Sequence, residues 1–299
     1  KSYKKGVGYF LMSDVERFYD VHGPMDVAVW EDFYYSPIDP FTVNEIDINS
    51  GLIDRKEFEP NYVHNLPEPN KDKVVICASG GVDSSVAACL AKYHLNKEVV
   101  LVHFDIGQKN QQGELAAVDY LQNFLNCERY DIDLTWLGNL GSSVLTDNEL
   151  DVPKSSTRSN LKNTICWVPS RNLVMMSNLM AVCEATGATE IYNGFQLEEE
   201  GSYPDNSLDF FRAMNGASDF GTLTRPKVRM IEANLMKPEV IRLGWFYELD
   251  FSKLWSCDTY NDNGEECGKC GACWNKNTAI EQAKELERKD EEILEKVYL

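Results

Sequence analysis

The sequence predicts an α/β fold: a doubly wound parallel sheet with helices on both faces, a metal-binding segment towards the C-terminal end and a small β-rich appendage in front. Three observations predict it. After residue 70, short apolar runs alternate with helix-length segments, the pattern of βαβ units whose strands are buried on both faces. Four of the nine cysteines crowd together as Cys257, Cys267, Cys270 and Cys273, at metal-ligand spacing. Around Leu66-Pro67-Glu68-Pro69-Asn70, two prolines interrupt all periodicity and mark a linker. The expected organisation is therefore an appendage over residues 1–70 and a main domain over 71–299, with the metal segment at 257–273.

In chain order, residues 26–30 and 41–48 alternate or run β-branched, and Asn49-Ser50-Gly51 is a turn signal, so the appendage reads as short strands. Beyond the linker, strands are expected at 74–78, 99–104, 129–132, 190–193 and 228–231. Residues 84–94 carry alanine, leucine and valine at helical spacing. Residues 173–185 are apolar on most faces, which predicts a buried helix. Residues 278–298 place Ile280, Ala283, Leu286, Ile293, Leu294 and Val297 on one side with dense charge opposite, which predicts one long amphipathic helix. There is no internal repeat.

Acidic residues outnumber basic ones 48 to 29, for a formal charge of −19. Such a surface repels phosphate backbones unless a basic patch is segregated, and none is visible. Arg225-Pro226-Lys227-Val228-Arg229 reads as a solvated strand edge, so long nucleic acid is not an expected partner. No run reaches the roughly 20 apolar residues needed to cross a bilayer, and no secretory leader is seen, so a cytoplasmic protein without membrane contact is expected. Residue 1 is Lys rather than Met, which suggests a trimmed start.

Chemistry first appears where the apolar run from Val74 breaks into Ser79-Gly80-Gly81-Val82-Asp83-Ser84-Ser85 ahead of a helix. Two glycines permit a sharp turn with inward amides, and a helix N-terminus favours an anion. Small hydroxyl side chains complete a phosphate-sized cradle. The loop lacks the G-x-x-x-x-G-K-[ST] pattern, so no lysine within it reaches a triphosphate. A ligand-free glycine turn is the plainer alternative. It resembles the SGGxDS loop of the ATP pyrophosphatases, which implies ATP cleaved between its α- and β-phosphates.

The four clustered cysteines follow C-x9-C-x2-C-x2-C, and Gly268-Lys269 and Gly271-Ala272 allow tight turns around one tetrahedral ion. Zn²⁺ is expected, although an iron-sulfur cluster uses the same ligands. Four thiolates leave no open position, so the site is expected to be structural. Cys77, Cys89, Cys127, Cys166 and Cys183 sit in apolar segments and read as small buried hydrophobes.

Four further stretches narrow the chemistry: His103-Phe104-Asp105-Ile106-Gly107-Gln108 with Glu114 opening the next helix; Val168-Pro169-Ser170-Arg171-Asn172; Tyr192-Asn193-Gly194 followed by Gly201-Ser202-Tyr203-Pro204-Asp205; and Trp255-Ser256-Cys257. With the SGGVDSS loop, this order resembles the QueC-type 7-cyano-7-deazaguanine synthases, whose patterns are SGGxDS, FDYGQxH, PxRN, GYPDCR and WSC with C-x2-C-x2-C. The resemblance runs from about Val74 to Trp274. It implies a Rossmann-like fold of the ATP-pyrophosphatase (HUP) type.

That family adenylates the carboxylate of 7-carboxy-7-deazaguanine, lets ammonia displace AMP to give the amide, and activates the amide with a second ATP to give the nitrile. By resemblance, Ser79, Gly80, Gly81, Val82, Asp83, Ser84, Ser85 and Gln108 would bind ATP. Asp83 would orient the loop or hold Mg²⁺, while Arg171 and Lys237, ahead of Pro238-Glu239-Val240-Ile241, would neutralise the transferring phosphate. Asn172, Asn193, Gly194, Tyr203 and Asp205 would contact the deazaguanine. Bland readings stand beside these: a surface Lys237, an Arg171 that ties down its loop, a Tyr-Pro-Asp turn, and amides at Gln108 and Asn172 that brace loops.

The chain departs from the pattern at Asn206 and Ser207, where the family has Cys-Arg, at Ile106 for tyrosine, and near Asn110 for histidine. The three glutamates before Gly201 read as a solvated hinge. Phe10-Leu11-Met12-Ser13-Asp14 and Asp47-Ile48-Asn49-Ser50-Gly51 resemble the tail of a class II glutamine amidotransferase domain, yet no cysteine precedes Cys77 to release ammonia. A protein docked through the appendage and a second copy of the chain are the macromolecular partners the sequence admits. Alternatives to the synthase are a QueC-like phage-defence enzyme joining a deazaguanine to a protein, a tRNA-thiolating ATP pyrophosphatase, and a non-catalytic zinc-stapled nucleotide module.

Overall fold

Valine, isoleucine and leucine fill the strands after residue 70 because a sheet covered on both faces has no polar side to present. In the computed structural model, which describes residues 42–46, 53–57, 66–141, 143–154, 165–196, 203–261 and 263–297, those strands are β3 (Asn70–Cys77), β4 (Glu98–Asp105), β5 (Glu128–Asp133), β6 (Ala188–Asn193) and β7 (Lys227–Met230). They form one parallel sheet in the order β5-β4-β3-β6-β7. All five expected strands are present, with ends displaced by a few residues.

The chain divides into two compact units, Lys1–Asn65 and Leu66–Leu299. Within the first, β1 (Thr42–Ile46) pairs antiparallel with β2 (Ile53–Glu57), with Thr42 opposite Glu57 and Ile46 opposite Ile53. The strand expected at 26–30 and the Asn49-Ser50-Gly51 turn lie outside the described residues.

In the second unit, period-two alternation sends neighbouring side chains to opposite faces. Val74, Ile76, Val99, Leu101 and Tyr192 pack under α1 (Val82–Cys89), α2 (Gln111–Leu125), α5 (Lys237–Phe246), α6 (Gly271–Lys284) and α7 (Asp290–Leu294). Val75, Val100, Val102, Ile191 and Met230 pack on the other face, under α3 (Arg171–Thr186) and α4 (Leu208–Gly221). The helix expected at 84–94 is α1, continued as a wide π turn over Leu90–His94.

The structure corrects two helix expectations. α3 is amphipathic rather than buried all round: Met176, Leu179 and Cys183 are sealed in the core, but Leu173 is 47% exposed. The last segment is two helices, not one. The chain breaks after Lys284, where the Arg242 guanidinium donates to the Leu286 carbonyl (3.0 Å) and to Asp290 Oδ1 (2.7 Å). The break lets Ile293 enter the core and brings Arg288 and Lys296 onto Glu239, a wholly buried carboxylate in the first turn of α5. Burial pushes the Glu239 carboxyl up, but hydrogen bonds from Lys296, the Met236 amide and Arg288 outweigh it and hold the group below its ordinary range. Among the described residues no helix is long and apolar enough to cross a membrane.

Candidate active site

The chain leaves β3 outward through β4 and β5, then returns to the opposite side of β3 as β6. At such a reversal the loops leaving adjacent strands diverge, and a crevice opens at the carboxyl ends of the strands. A cavity of about 330 Å³ lies there, lined by residues from the loops after β3, β4 and β6, the first turn of α3 and the cysteine segment.

The loop after β3 forms its floor. Gly80 adopts φ +74°, and a Cβ at that point would lie 2.6 Å from Ala117 Cβ and 2.9 Å from the Glu114 carbonyl oxygen. Only glycine suits both constraints. Ser84 Oγ accepts from the Ser79 amide (3.3 Å), lies 3.2 Å from Ser79 Oγ and donates to the Gly81 carbonyl (3.2 Å). The Gly81 amide donates to Ser79 Oγ (3.4 Å). These bonds are long, so the hydroxyls and amides at the start of α1 can turn to an incoming anion. Ser79, Asp83 and Ser84 line the cavity, while Gly80, Gly81 and Val82 shape the turn. Ser85 does not face it, because its side chain is fully buried within the first turn of α1.

Asp83 and Lys237, expected in separate roles, form one ion pair. Gln196 Nε2 donates to Asp83 Oδ1 (3.0 Å) and reaches Glu232 Oε2 (3.4 Å), so an amide bridges two carboxylates beneath the loop. Lys237 thus meets the cavity through Asp83 rather than lining it. The exit of β6 presses on the same point: a Cβ on Gly194 would lie 2.9 Å from the Asp83 carbonyl.

Arg171 and Asn172 form the opposite wall at the start of α3. Two of the departures from the family pattern, Asn206 and Ser207, have local structural roles. Asn206 Oδ1 accepts from Asn172 Nδ2 (3.3 Å), and Ser207 Oγ caps α4 by accepting from the Phe210 amide (3.2 Å). Tyr203 and Asp205 are not among the residues that line the cavity. Tyr203 stacks on Trp167 with ring centroids 6.0 Å apart. Asp205 is buried, which raises its carboxyl, while Arg171 opposes the shift. Asn193 lines the cavity with its Oδ1 held by the Phe195 amide (3.2 Å) and its Nδ2 buried without a partner. Residues 197–202, with the glutamate run, lie outside the described residues.

Among the other cavity residues, Glu114 and His103 belong to a stretch that the sequence marks without giving either a role, and Asp258 is unmarked. Glu114 accepts from Gln108 Nε2 (2.8 Å) and Asn110 Nδ2 (3.0 Å). Gln108 also donates to the Phe104 carbonyl (3.0 Å) and accepts from the Ile106 amide (2.7 Å), so it braces its loop as well as lining the cavity. Burial pushes the Glu114 carboxyl up to about 7, restrained by those two amides and Arg171 and assisted by Asp258. Asp258, the residue after the first clustered cysteine, also lines the cavity. So does His103, from the centre of a buried strand.

Glu114 makes the fold pH-sensitive in a stated direction. Between its ordinary 4.5 and about 7, the folded chain keeps a proton that the unfolded chain releases. Its contribution to stability is therefore full below pH 4.5 and is lost as the pH rises through 7. The gap corresponds to roughly 3 kcal/mol. Urea titrations at pH 5 and pH 8 should show wild type losing about that much relative to Glu114→Gln on going from the lower to the higher pH. A constant difference would show that the carboxyl does not titrate there.

The clustered cysteines meet as the sequence predicts. Their sulfurs all lie within 4.8 Å of one another, with Cys257–Cys270 at 3.9 Å and Cys267–Cys273 at 4.0 Å. Tetrahedral zinc thiolates, with bonds of about 2.3 Å, require sulfurs about 3.8 Å apart. Backbone amides of Cys267, Cys270 and Cys273 donate to Cys257, Cys267 and Cys270 sulfurs at 3.3, 3.3 and 3.4 Å, as suits thiolate charge. The other five cysteines are free thiols, buried or half-buried.

This knuckle is wired to the phosphate-type loop. The Trp255 amide donates to the Gly80 carbonyl (2.9 Å), Trp255 Nε1 donates to the Cys257 carbonyl (3.0 Å), and Asn110 Nδ2 donates to that same carbonyl (2.8 Å).

Residues 73–284, which include every residue lining the cavity, match the family described as "Queuosine biosynthesis protein QueC". A 7-cyano-7-deazaguanine synthase from a Nitratiruptor species is 35% identical over 213 residues, 71% of this chain and 94% of that protein. One from Sulfolobus acidocaldarius is 32% identical over 255 residues, 84% of this chain and 54% of that protein. The 7-cyano-7-deazaguanine synthase 2 of Sulfurisphaera tokodaii is 29% identical over 283 residues, 93% of this chain and 57% of that protein. The chain therefore spans about half the length of the last two relatives.

Proposed function

The chain belongs to the QueC family, and we propose that it is an ATP-dependent ligase converting 7-carboxy-7-deazaguanine with ammonia to the amide and the nitrile, 7-cyano-7-deazaguanine. One observation supports this most: the SGGVDSS loop, Arg171 and the cysteine knuckle, distant in sequence, converge on one crevice at the strand-order reversal.

A carboxylate resists attack by ammonia because it is a poor electrophile, and joining it to AMP supplies a leaving group. Ser79, Ser84 and the amides opening α1 hold the departing pyrophosphate, with charge stabilised by donors already in place. Asp83 would hold Mg²⁺ brought with ATP, which would offset the repulsion between its carboxylate and the phosphates. Lys237 moves from Asp83 towards the phosphates, and Arg171 faces the transferring group from the opposite wall. Asn172, Asn193 and Gly194 border the place left for the deazaguanine. Tyr203 and Asp205, next to Arg171 and Asn172, would supply the stacking face and the acidic group for the base.

Cys257, Cys267, Cys270 and Cys273 would hold Zn²⁺ with four thiolates, a ligand set that would make it structural rather than catalytic. Free thiols and a thiolate knuckle suit the reducing cytoplasm.

Mass spectrometry of a mixture of the protein, ATP, 7-carboxy-7-deazaguanine and ammonium tests the reading. AMP should accumulate with products of amide and then nitrile mass. Absence of both AMP and a new deazaguanine mass would overturn it. Amide without nitrile would restrict the activity to the first activation.

A further inference from the structure

The acyl adenylate needs an amine delivered beside the phosphate loop, and one buried imidazole is placed to deliver it. His103 lies on β4 with 2% of its surface exposed, between Val102 and Phe104, both core residues. Its Nδ1 is 3.1 Å from the carbonyl oxygen of Ala78, the residue immediately before Ser79. A carbonyl only accepts, so Nδ1 carries the hydrogen and Nε2 carries a lone pair. That Nε2 is sealed from solvent and has no partner, although the residue lines the cavity. Buried polar atoms in folded proteins are almost always hydrogen-bonded, so an orphan acceptor on a cavity wall points to a ligand that donates.

We propose that His103 Nε2 binds the ammonia nitrogen and takes the proton released when that nitrogen attacks the acyl adenylate. The inference rests on the reaction proposed above and assigns the residue that handles its second substrate. The triphosphate offers oxygens, which are acceptors and do not pair with a lone-pair nitrogen. Ammonia offers three donors and is no larger than a water molecule, so a small shift of the loop on the Ala78 carbonyl would admit it to Nε2. His103 bonds the carbonyl of Ala78, the residue just before Ser79, which places it at the phosphate-loop end of the cavity. Glu114 shares the cavity and gives the proton an onward acceptor.

The step balances. The ammonia lone pair forms a C–N bond to the acyl carbon. The acyl C–O bond to the phosphate breaks, its electron pair leaving with AMP. The nitrogen then gives one proton to Nε2, and the imidazolium returns it to Glu114 or solvent. Histidine is the side chain most often used for such transfers, which are worth about 10²–10⁴ in rate.

Two variants separate this role from a structural one. His103→Asn keeps a donor for the Ala78 carbonyl and removes the base. His103→Gln keeps an acceptor near Nε2 but cannot take up the proton. For each, ATP–pyrophosphate exchange dependent on 7-carboxy-7-deazaguanine reads adenylation, and amide formation from ammonium reads the second step. The ratio of exchange to amide formation should rise about a hundredfold or more in both. Hydroxylamine, a stronger nucleophile that sheds its proton more readily, should restore product. Equal loss of both rates in both variants, or an unchanged ratio, would overturn the role of His103 alone. Absence of exchange in the unaltered protein would overturn the proposed function and this inference with it.

Discussion

Gly80→Ala should lower AMP formation by about a hundredfold or more, because misplacing a substrate-positioning loop by roughly 1 Å has that effect. The alanine methyl would sit 2.6 Å from Ala117 Cβ and 2.9 Å from the Glu114 carbonyl, at φ +74°. Both obstacles belong to α2, one of them backbone, so the loop must move. Moving it also strains the bond from the Trp255 amide to the Gly80 carbonyl. Gly264→Ala is the control. It imposes a comparable φ, +70°, but its nearest neighbour is Tyr260 OH at 3.8 Å. Steady-state AMP release and a thermal melt on both variants measure the effect. Full activity in Gly80→Ala would mean that the loop does not position phosphate.

Removing one thiolate should have the second large effect. Cys270→Ser takes away a metal ligand and alters the cap of α6, whose Sγ accepts from the Cys273 amide. Structural zinc contributes directly to folding free energy, and the loss should cost roughly 3 kcal/mol or more. The distinguishing readout lies some way from the cysteines. Because Trp255 ties the knuckle to Gly80, hydrogen-exchange protection of the Trp255 amide should fall together with AMP formation, while protection in β3 and β4 persists. A variant that lost zinc yet kept Trp255 protection and activity would break this connection.

The sheet was legible because strands buried on both faces leave continuous apolar runs, as in Val99 to Phe104. Metal spacing was legible because the four ligands lie close in sequence. The last helix was misjudged because charge pattern records which side faces water but not where a chain must bend. The Arg242 bonds to Leu286 and Asp290 that accompany the bend come from a distant helix. Within the cavity, the loop and Arg171 carried motif signals. His103 opens a marked stretch but carries no role of its own there, since a histidine inside an apolar strand looks like core, and Asp258 carries no signal, since an aspartate after a cysteine looks like turn. Glu114 was noticed only as the opening of a helix; its role depends on Gln108, Asn110 and burial, which no local pattern encodes. Tyr203 and Asp205 show another case, where a motif match lies outside the residues that line the cavity.

Glu239 has a consequence for how the molecule is made. Its carboxylate is fully buried at the start of α5, two residues from Lys237, and its countercharges, Arg288 and Lys296, come from much later in the chain. During vectorial synthesis, α5 emerges from the ribosome before either of them. A buried carboxylate without its partners is strongly destabilising, so α5 packs stably against the sheet only once Arg288 and Lys296 are available to it. The order of translation thus delays the seating of α5 and, with it, the pairing of Lys237 with Asp83.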